Sequence, residues 1–223
     1  MIQTKFIHLS LFSIFLALNI PNIRFLILQQ LQTIRYNWAD ITCTPHIKEH
    51  ARSIAEAAWG EAGAVVYQAA AQGMRANNGS SQYLDETQKR YLRPYFGDLV
   101  DNVVVIYNAK LTDDWLYAGS SIDIGQGDFV AQTYCERIYV VAPYNPGDSG
   151  QLVLLAHELI HSRQCKQFGG AGKFGYQYFR EFKTAGQSYE NNKLEREAND
   201  FERQFAGWLS NQLANNQAAP GQR

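Results

Sequence analysis

Residues 152–161 read Leu-Val-Leu-Leu-Ala-His-Glu-Leu-Ile-His. The last five letters place two histidines four positions apart with a glutamate directly after the first, the HExxH pattern of zinc hydrolases. On a helix, side chains four apart lie about 40° apart around the axis, so His157 and His161 can reach one ion from the same face. Glu158 would then stand beside the ion, where a carboxylate can act as a general base. The pattern predicts a metal-dependent hydrolase.

The residues around this run predict a buried central helix. Asp148 or Ser149 can cap its N-terminus, and Gly169 with Gly170 can end it. The leucines of the run fall opposite the histidines, as expected for a helix packed on a core. The alternative is a pair of histidines satisfied within an ordinary core. Because two imidazoles and a carboxylate are costly to bury without a partner, we favour the metal site.

The composition is that of a globular protein. Apolar residues make up 46% of the chain, aromatic residues 13% and charged residues 18%, with a net charge of −1. Lysine and arginine are scattered rather than clustered. The charge distribution therefore predicts no nucleic-acid partner and a single main domain.

The N-terminus differs from the rest of the chain. Lys5 precedes the largely apolar stretch Phe6 to Ile20, and Pro21 follows it. This order is typical of a secretory signal, and an extension to residue 28 could form a membrane anchor. An ordinary hydrophobic arm is the remaining alternative. We predict a signal peptide or membrane anchor over 1–28, and a protein that is exported (periplasmic or extracellular) or tethered to a membrane.

The three cysteines, Cys43, Cys135 and Cys165, do not have the spacing of a metal site. Each is expected to be a small buried residue. In an exported chain one disulfide could form, with three possible pairings. A Cys135–Cys165 bond would tie the hairpin predicted below to the metal helix.

The remaining elements follow from local patterns. An alanine-rich helix is predicted from Ile47 to Met74 within an N-terminal helical segment, 29–80. The metal-binding domain is predicted over 81–212, followed by a frayed polar tail, 213–223. Within that domain we expect a short helix in 82–96, a strand from Leu99 to Tyr107, a hairpin of Phe129–Tyr134 and Arg137–Ala142, the metal helix, a Gly-rich aromatic loop and a last helix.

A catalytic zinc needs a third protein ligand beyond the two histidines. The last helix has an apolar stripe that includes Leu194 and Ala198, which would pack on the core. Glu195 lies on one flank of this stripe and Glu197 on the other. Periodicity alone does not choose between the two glutamates.

The two metal segments together resemble the gluzincin pattern, HExxH followed by ExxxD. In that pattern the first downstream glutamate is the zinc ligand, which implies Glu195 here. Asn199 stands where many members have an aspartate that hydrogen-bonds a ligand histidine. An asparagine can accept the same bond but brings no charge.

A wider resemblance extends over roughly residues 90 to 205. The motifs Leu92-Arg93-Pro94-Tyr95-Phe96-Gly97, Ala131-Gln132-Thr133 and Leu154-Leu155-Ala156-His157-Glu158-Leu159 occur in the order seen in the eCIS core domain, a zincin domain of unknown function that accompanies extracellular contractile injection systems. The chain departs from that family where Cys135 replaces the usual glycine, and where Gln164-Cys165 replaces paired glutamines. The resemblance implies a zincin-like α+β fold, with a small antiparallel-containing sheet packed on the HExxH helix and additional N- and C-terminal helices.

These observations predict a zinc-dependent metallopeptidase that acts on a peptide or protein. Zn²⁺ would be bound by His157, His161 and Glu195, with Glu158 as general base and then acid. Three phenols between the metal segments, Tyr176, Tyr178 and Tyr189, could stabilise an oxyanion, and Tyr189 is the preferred one. The strand before Tyr134 could pair with an extended substrate.

The alternative is a catalytically weak or inactive zincin-like scaffold in a secretion- or injection-associated system. In that case the zinc would be structural. The asparagine at position 199 favours this alternative, whereas the retained Glu158 argues against it. A membrane-tethered binding protein with vestigial chemistry is a third hypothesis.

Overall fold

The computed structural model describes residues 45–112, 115–117, 120–122 and 129–217. The fold is α+β and mostly helical, with a small mixed four-stranded sheet. Within the described residues, no helix is both long and apolar enough to span a membrane. The predicted signal or anchor and Cys43 lie outside the described residues. The helices are α1 (Pro45–Asn77), α2 (Glu86–Phe96), α3 (Leu99–Asn102), α4 (Ser149–Phe168), α5 (Ala171–Thr184) and α6 (Lys193–Gln217), and the strands are β1 (Gln82–Tyr83), β2 (Val104–Ile106), β3 (Trp115–Tyr117), β4 (Ser120–Ile122), β5 (Ala131–Tyr134) and β6 (Arg137–Val140).

The main sheet has the order β1-β2-β6-β5. Strand β2 runs parallel to β6, while β1 is antiparallel to β2 and β5 is antiparallel to β6. Strands β3 and β4 form a separate antiparallel pair. Because β5 has one neighbour, it forms an edge of the main sheet. One face of this sheet packs on α4, and the other contributes to a second apolar cluster with α1 and α5.

Helix α4 forms as its flanking residues predict. Asp148 caps the N-terminus by accepting a hydrogen bond from the amide of Gln151 at 2.8 Å. Gly169 ends the helix with φ +90°, in the left-handed region that favours glycine. Leu155 and Leu159 have no exposed surface, so the helix is central to the core.

The predicted hairpin is present, and its turn carries the only disulfide among the described residues. Cys135 and Cys165 are bonded, which joins the β5–β6 turn to α4. Cys135 has φ +55°, a left-handed conformation that is unfavourable for a residue with a side chain. A glycine would adopt this conformation without that cost.

Helices α1 and α5 cross at unusually short range. A Cβ atom added to Gly63 would lie 2.3 Å from the Cβ of Phe179, and one added to Gly175 would lie 2.6 Å from the carbonyl oxygen of Gly63. These glycines allow the backbones to approach closely. The contact fixes Tyr67 of α1 and Tyr178 of α5, which both reach the site described below.

One prediction is wrong. The segment between the metal helix and the last helix, predicted as a Gly-rich aromatic loop, forms helix α5. The glycines at 169 and 170 end α4, but those at 172 and 175 lie inside α5. Phe174, Tyr178 and Phe182 recur every four residues and are all buried. Their burial on α1 outweighs the low helix propensity of glycine.

Two boundaries also differ from the predictions. Leu99–Asn102, assigned to a strand, is the short helix α3, and only Val104–Ile106 of that run joins the sheet. The last helix continues to Gln217, so the polar tail predicted over 213–223 begins inside it. The predicted tail contains no glycine or proline before Pro220, so its alanine, asparagine and glutamine residues can continue the helix.

Candidate metal centre

Three buried side chains converge on one point. The Nε2 atoms of His157 and His161 are 3.2 Å apart. Oε2 of Glu195 lies 3.6 Å from the first nitrogen and 3.3 Å from the second. Among the described residues this is the one group of at least three possible ligands whose donor atoms all lie within 4.8 Å of one another.

The choice between the two glutamates of α6 is settled by their positions. Glu195 is 3% exposed and points at the histidines. Glu197 is on the exposed side of the helix, where it contacts Arg163 at 3.5 Å. The structure therefore brings Glu195 into the group, as the family pattern implies.

The start of α6 is held so that Glu195 faces inward. Asn192, which is fully buried, caps the helix by accepting a hydrogen bond from the amide of Leu194 at 3.0 Å. Its amide nitrogen donates to the carbonyl of Tyr178 at 3.2 Å, which ties α6 to α5. This cap fixes the first turn of α6, which carries Glu195.

Gln164 determines which ring nitrogen of His161 is free. Its Nε2 donates to the carbonyl of Leu194 and to Oε2 of Glu197, each at 3.1 Å, so its Oε1 is left as an acceptor. Nδ1 of His161 lies 3.0 Å from that oxygen and must donate to it. The lone pair of the neutral ring is then on Nε2, which faces Glu195.

Glu202 has the same role at His157. Its Oε2 lies 2.9 Å from Nδ1 of that ring, and a carboxylate can only accept a hydrogen bond there. The role expected of Asn199 therefore belongs to Glu202, so the missing aspartate does not leave this imidazole without a charged partner. The reason is geometric: seven residues bring a helical side chain back to within about 20° of Glu195, whereas four residues leave it about 40° away.

The electrostatics of the group call for a cation. Oε1 of Glu195 accepts a hydrogen bond from the Tyr178 hydroxyl at 2.6 Å, whereas the buried Oε2 has no hydrogen-bond donor. Burial lowers the pKa of His157, but the carboxylates of Glu195 and Glu202 beside the ring outweigh this effect and raise that pKa to about 10. Burial acts to raise the pKa of Glu195, but the two histidines lower it overall.

The donor set fits a metal ion. Two imidazole lone pairs and one carboxylate oxygen meet in a buried place, and their outer atoms are already hydrogen-bonded. Such a donor set can bind a divalent metal ion, and the second partners fix the orientation of the two rings. A metal ion would be the positively charged partner that Oε2 of Glu195 lacks.

Glu158 lies beside the group and outside it. Its carboxylate is 5% exposed, and Oε2 accepts a hydrogen bond from the hydroxyl of Thr133 on β5 at 2.6 Å. No partner of the other oxygen, Oε1, is present among the described residues. Glu158 thus has the position expected of a base rather than a ligand.

Glu158 and the metal group line a cavity of about 60 Å³. Residues of β5 and of α4 contribute to the lining. Aromatic rings supply most of the remainder. The lining residues outside the metal group and Glu158 are Tyr67, Phe129, Ala131, Gln132, Thr133, Phe174, Tyr178 and Tyr189.

The three candidate phenols have different positions. Tyr189 lines the cavity and packs edge-on against Phe129, with ring centroids 5.9 Å apart. Tyr178 is the hydrogen-bond partner of Glu195. Tyr176 packs against the backbone at Gly60 and does not line the cavity. Of the three, Tyr178 and Tyr189 line the cavity.

Four residues around the site were not predicted from the sequence, namely Tyr67, Thr133, Gln164 and Glu202. Two of them carried a detectable signal. Gln164 is one helical turn beyond His161 and lies on the same face of α4. Glu202 is two turns beyond Glu195 and lies on the same face of α6. Thr133 lies in the Ala131-Gln132-Thr133 motif, but the motif gives no sign of its contact with Glu158. Tyr67 comes from an element far away in the chain, and no local pattern marks it.

No family model, no curated protein and no solved structure matches this chain.

Proposed function

We propose that this chain is a zincin-like, zinc-dependent metallopeptidase. The observation that carries the proposal is the position of Glu158, a buried carboxylate that opens on the cavity beside His157, His161 and Glu195 without belonging to their group. A purely structural metal site has no need of such a residue. The residues of the group would hold the ion, and Glu158 would handle protons.

Zinc is the ion that this ligand set favours, because two imidazoles and one carboxylate with an open position form a frequent catalytic zinc site. When bound, zinc supplies Lewis acidity to a water molecule and to a carbonyl oxygen. Gln164 and Glu202 accept hydrogen bonds from the Nδ1 atoms of the two imidazoles, which would leave Nε2 of each ring to hold the ion.

Glu158 moves the proton at Oε1. Since Oε2 is occupied by the Thr133 hydroxyl, Oε1 is the oxygen that can accept a proton from water in the cavity. The same oxygen can then return the proton to the leaving amine. This carboxylate therefore serves as general base and general acid in turn.

Tyr189 provides a hydrogen-bond donor. Burial, reinforced by the nearby charge of Glu195, raises the pKa of its phenol. The phenol is therefore protonated at neutral pH and can donate to an oxyanion that forms in the cavity.

Strand β5 favours a peptide as substrate. Val130 and Gln132 are paired with β6. Because pairing alternates along an antiparallel strand, the N–H and C=O of Ala131 point away from β6, towards the cavity. An extended peptide can pair with these groups.

Export is the cellular context we propose. Disulfides form and persist mainly in oxidising compartments, so the Cys135–Cys165 bond supports an exported or membrane-anchored protein. Such a location also fits the relationship to an injection-associated domain that the sequence motifs imply.

The proposal is tested on the full chain by metal analysis and by mass-spectrometric detection of cleavage in a peptide library. We expect about one zinc per chain and cleavage by the wild type. Glu158→Gln should keep zinc and lose cleavage, and Glu195→Ala should lose both. Glu49→Gln, which changes an exposed carboxylate near the N-terminal end of α1, is the matched control. A protein without zinc would overturn the proposal.

The second candidate is a zincin-like scaffold with a structural zinc. The size of the cavity favours it, since about 60 Å³ is small beside the 300–1,000 Å³ of typical ligand pockets. In that case zinc would be bound, no library peptide would be cleaved, and Glu158→Gln would change only the stability of the protein.

A further inference from the structure

Thr133 is a buried polar residue whose hydroxyl contacts Glu158. It lies on the edge strand β5 and is 9% exposed. The hydroxyl donates to Oε2 of Glu158 at 2.6 Å, a short distance that is typical of a hydrogen bond to a charged carboxylate. The same hydroxyl lies 3.4 Å from the main-chain carbonyl of Glu158. Both contacts of the Thr133 hydroxyl within the described residues are therefore with one residue of α4, Glu158.

The backbone that carries Thr133 is itself held in place. Its carbonyl accepts a hydrogen bond from the hydroxyl of Tyr67 at 2.8 Å, and that hydroxyl accepts one from the amide of Cys135 at 3.2 Å. Cys135 is bonded to Cys165, one turn beyond His161 on α4. Thr133 is thus fixed by α1 on one side and by a covalent link to the metal helix on the other.

We propose that Thr133 is the positioning residue for Glu158. It holds Oε2 so that Oε1 is presented to the cavity, and it keeps the carboxylate from turning towards the histidines. This inference rests on the proposed peptidase function, in which Glu158 transfers the proton. It also gives a role to the Ala131-Gln132-Thr133 motif beyond its place in the sheet.

The reason for such a residue is the freedom of the glutamate side chain. Glutamate has three rotatable bonds, and in the cavity the cationic centre would attract its carboxylate. A misplacement of about 1 Å at a reacting group can cost about 100-fold in rate. One short hydrogen bond from a rigid strand removes that freedom.

The test compares Thr133→Val, which has nearly the same shape without the donor, with Thr133→Ser, which keeps the donor and loses a methyl group. With a peptide that the wild type cleaves, Thr133→Val should lower kcat about 10- to 100-fold and leave KM unchanged. Thr133→Ser should remain within about 3-fold of the wild type. Zinc content should be the same in all three proteins.

A second readout does not require turnover. Acetohydroxamate gives up a proton when it binds a metal, and Glu158 is the nearest base that can take it. The affinity of acetohydroxamate for the zinc-loaded protein, measured by calorimetry, should fall about 10-fold in Thr133→Val and in Glu158→Gln, and should be retained in Thr133→Ser.

The outcomes are distinguishable. If Thr133→Val cleaves as well as the wild type, or if Thr133→Ser loses as much as Thr133→Val, the positioning role is wrong while the peptidase proposal stands. Loss of zinc in Thr133→Val would show a structural role instead and would also overturn the inference. If no peptide is cleaved but acetohydroxamate responds as expected, the peptidase proposal fails and Thr133 still positions Glu158.

Discussion

At the scale of single residues, Glu202 determines how firmly His157 is held. Its carboxylate bonds Nδ1 of that ring at 2.9 Å and is 40% exposed. Glu202→Gln removes the charge and retains an acceptor. We expect zinc affinity to fall about 10- to 100-fold, measured by competition with a chelator, while the fold is unchanged. The control Glu49→Gln should bind zinc like the wild type; equal affinities for all three proteins would mean that Glu202 contributes nothing to the site.

The metal-free protein should respond to pH through His157. Its pKa is about 10 in the folded chain and 6.5 as the reference value. Since the folded pKa is the higher one, this stabilisation is complete below 6.5 and is lost as pH rises through 10. The melting temperature of the chelator-treated protein should therefore fall between pH 7 and 10. A zinc-loaded sample is the control, because the ion replaces the proton; a flat profile without zinc would contradict the prediction.

Some residues of the candidate metal centre could be predicted from the sequence, and others could not. His157, Glu158 and His161 lie within one helical turn and a half, so their spacing alone placed them together. Glu195 comes from another helix, and it was chosen over Glu197 by family resemblance. The partners Gln164 and Glu202 depend on how α4 and α6 cross, which no local spacing specifies.

At the scale of elements, the crossing of α1 and α5 determines whether the aromatic wall can form. Gly63→Ala would place a methyl group 2.3 Å from the Cβ of Phe179. We expect the free energy of unfolding to fall by about 3 kcal/mol, measured by denaturant titration. The matched control is Gly73→Ala on the same helix, where nothing lies within 4 Å of the added Cβ. That change should stabilise the protein by about 0.5–1 kcal/mol, because alanine is the better helix former. Equal effects at the two positions would show that the crossing tolerates a larger separation.

Element prediction succeeded where local signals agreed. The capping aspartate and terminal glycine marked α4, and two alternating runs around a two-residue turn marked β5 and β6. It failed for α5, where glycines indicated a loop although Phe174, Tyr178 and Phe182 already had helical spacing. The burial of those rings depends on α1, more than a hundred residues earlier in the chain.

At the scale of the whole molecule, the disulfide links the sheet to the metal helix across 30 residues of sequence. Cys135→Ser combined with Cys165→Ser should lower the free energy of unfolding by about 3–4 kcal/mol, through the greater freedom of the unfolded chain. Denaturant unfolding measures this change. Wild-type protein unfolded in the presence of a reductant should match the double variant, and an undiminished stability would show that the bond adds nothing to the fold.

Helix α1 has a mechanical consequence. It is one uninterrupted helix of 33 residues, and therefore roughly 50 Å long. Its N-terminal end follows the segment for which we predict an anchor, while Tyr67, further along, holds the carbonyl of Thr133. A force or torque applied near Pro45 would therefore be transmitted along α1 to Tyr67, and from Tyr67 to the segment of β5 that contacts Glu158.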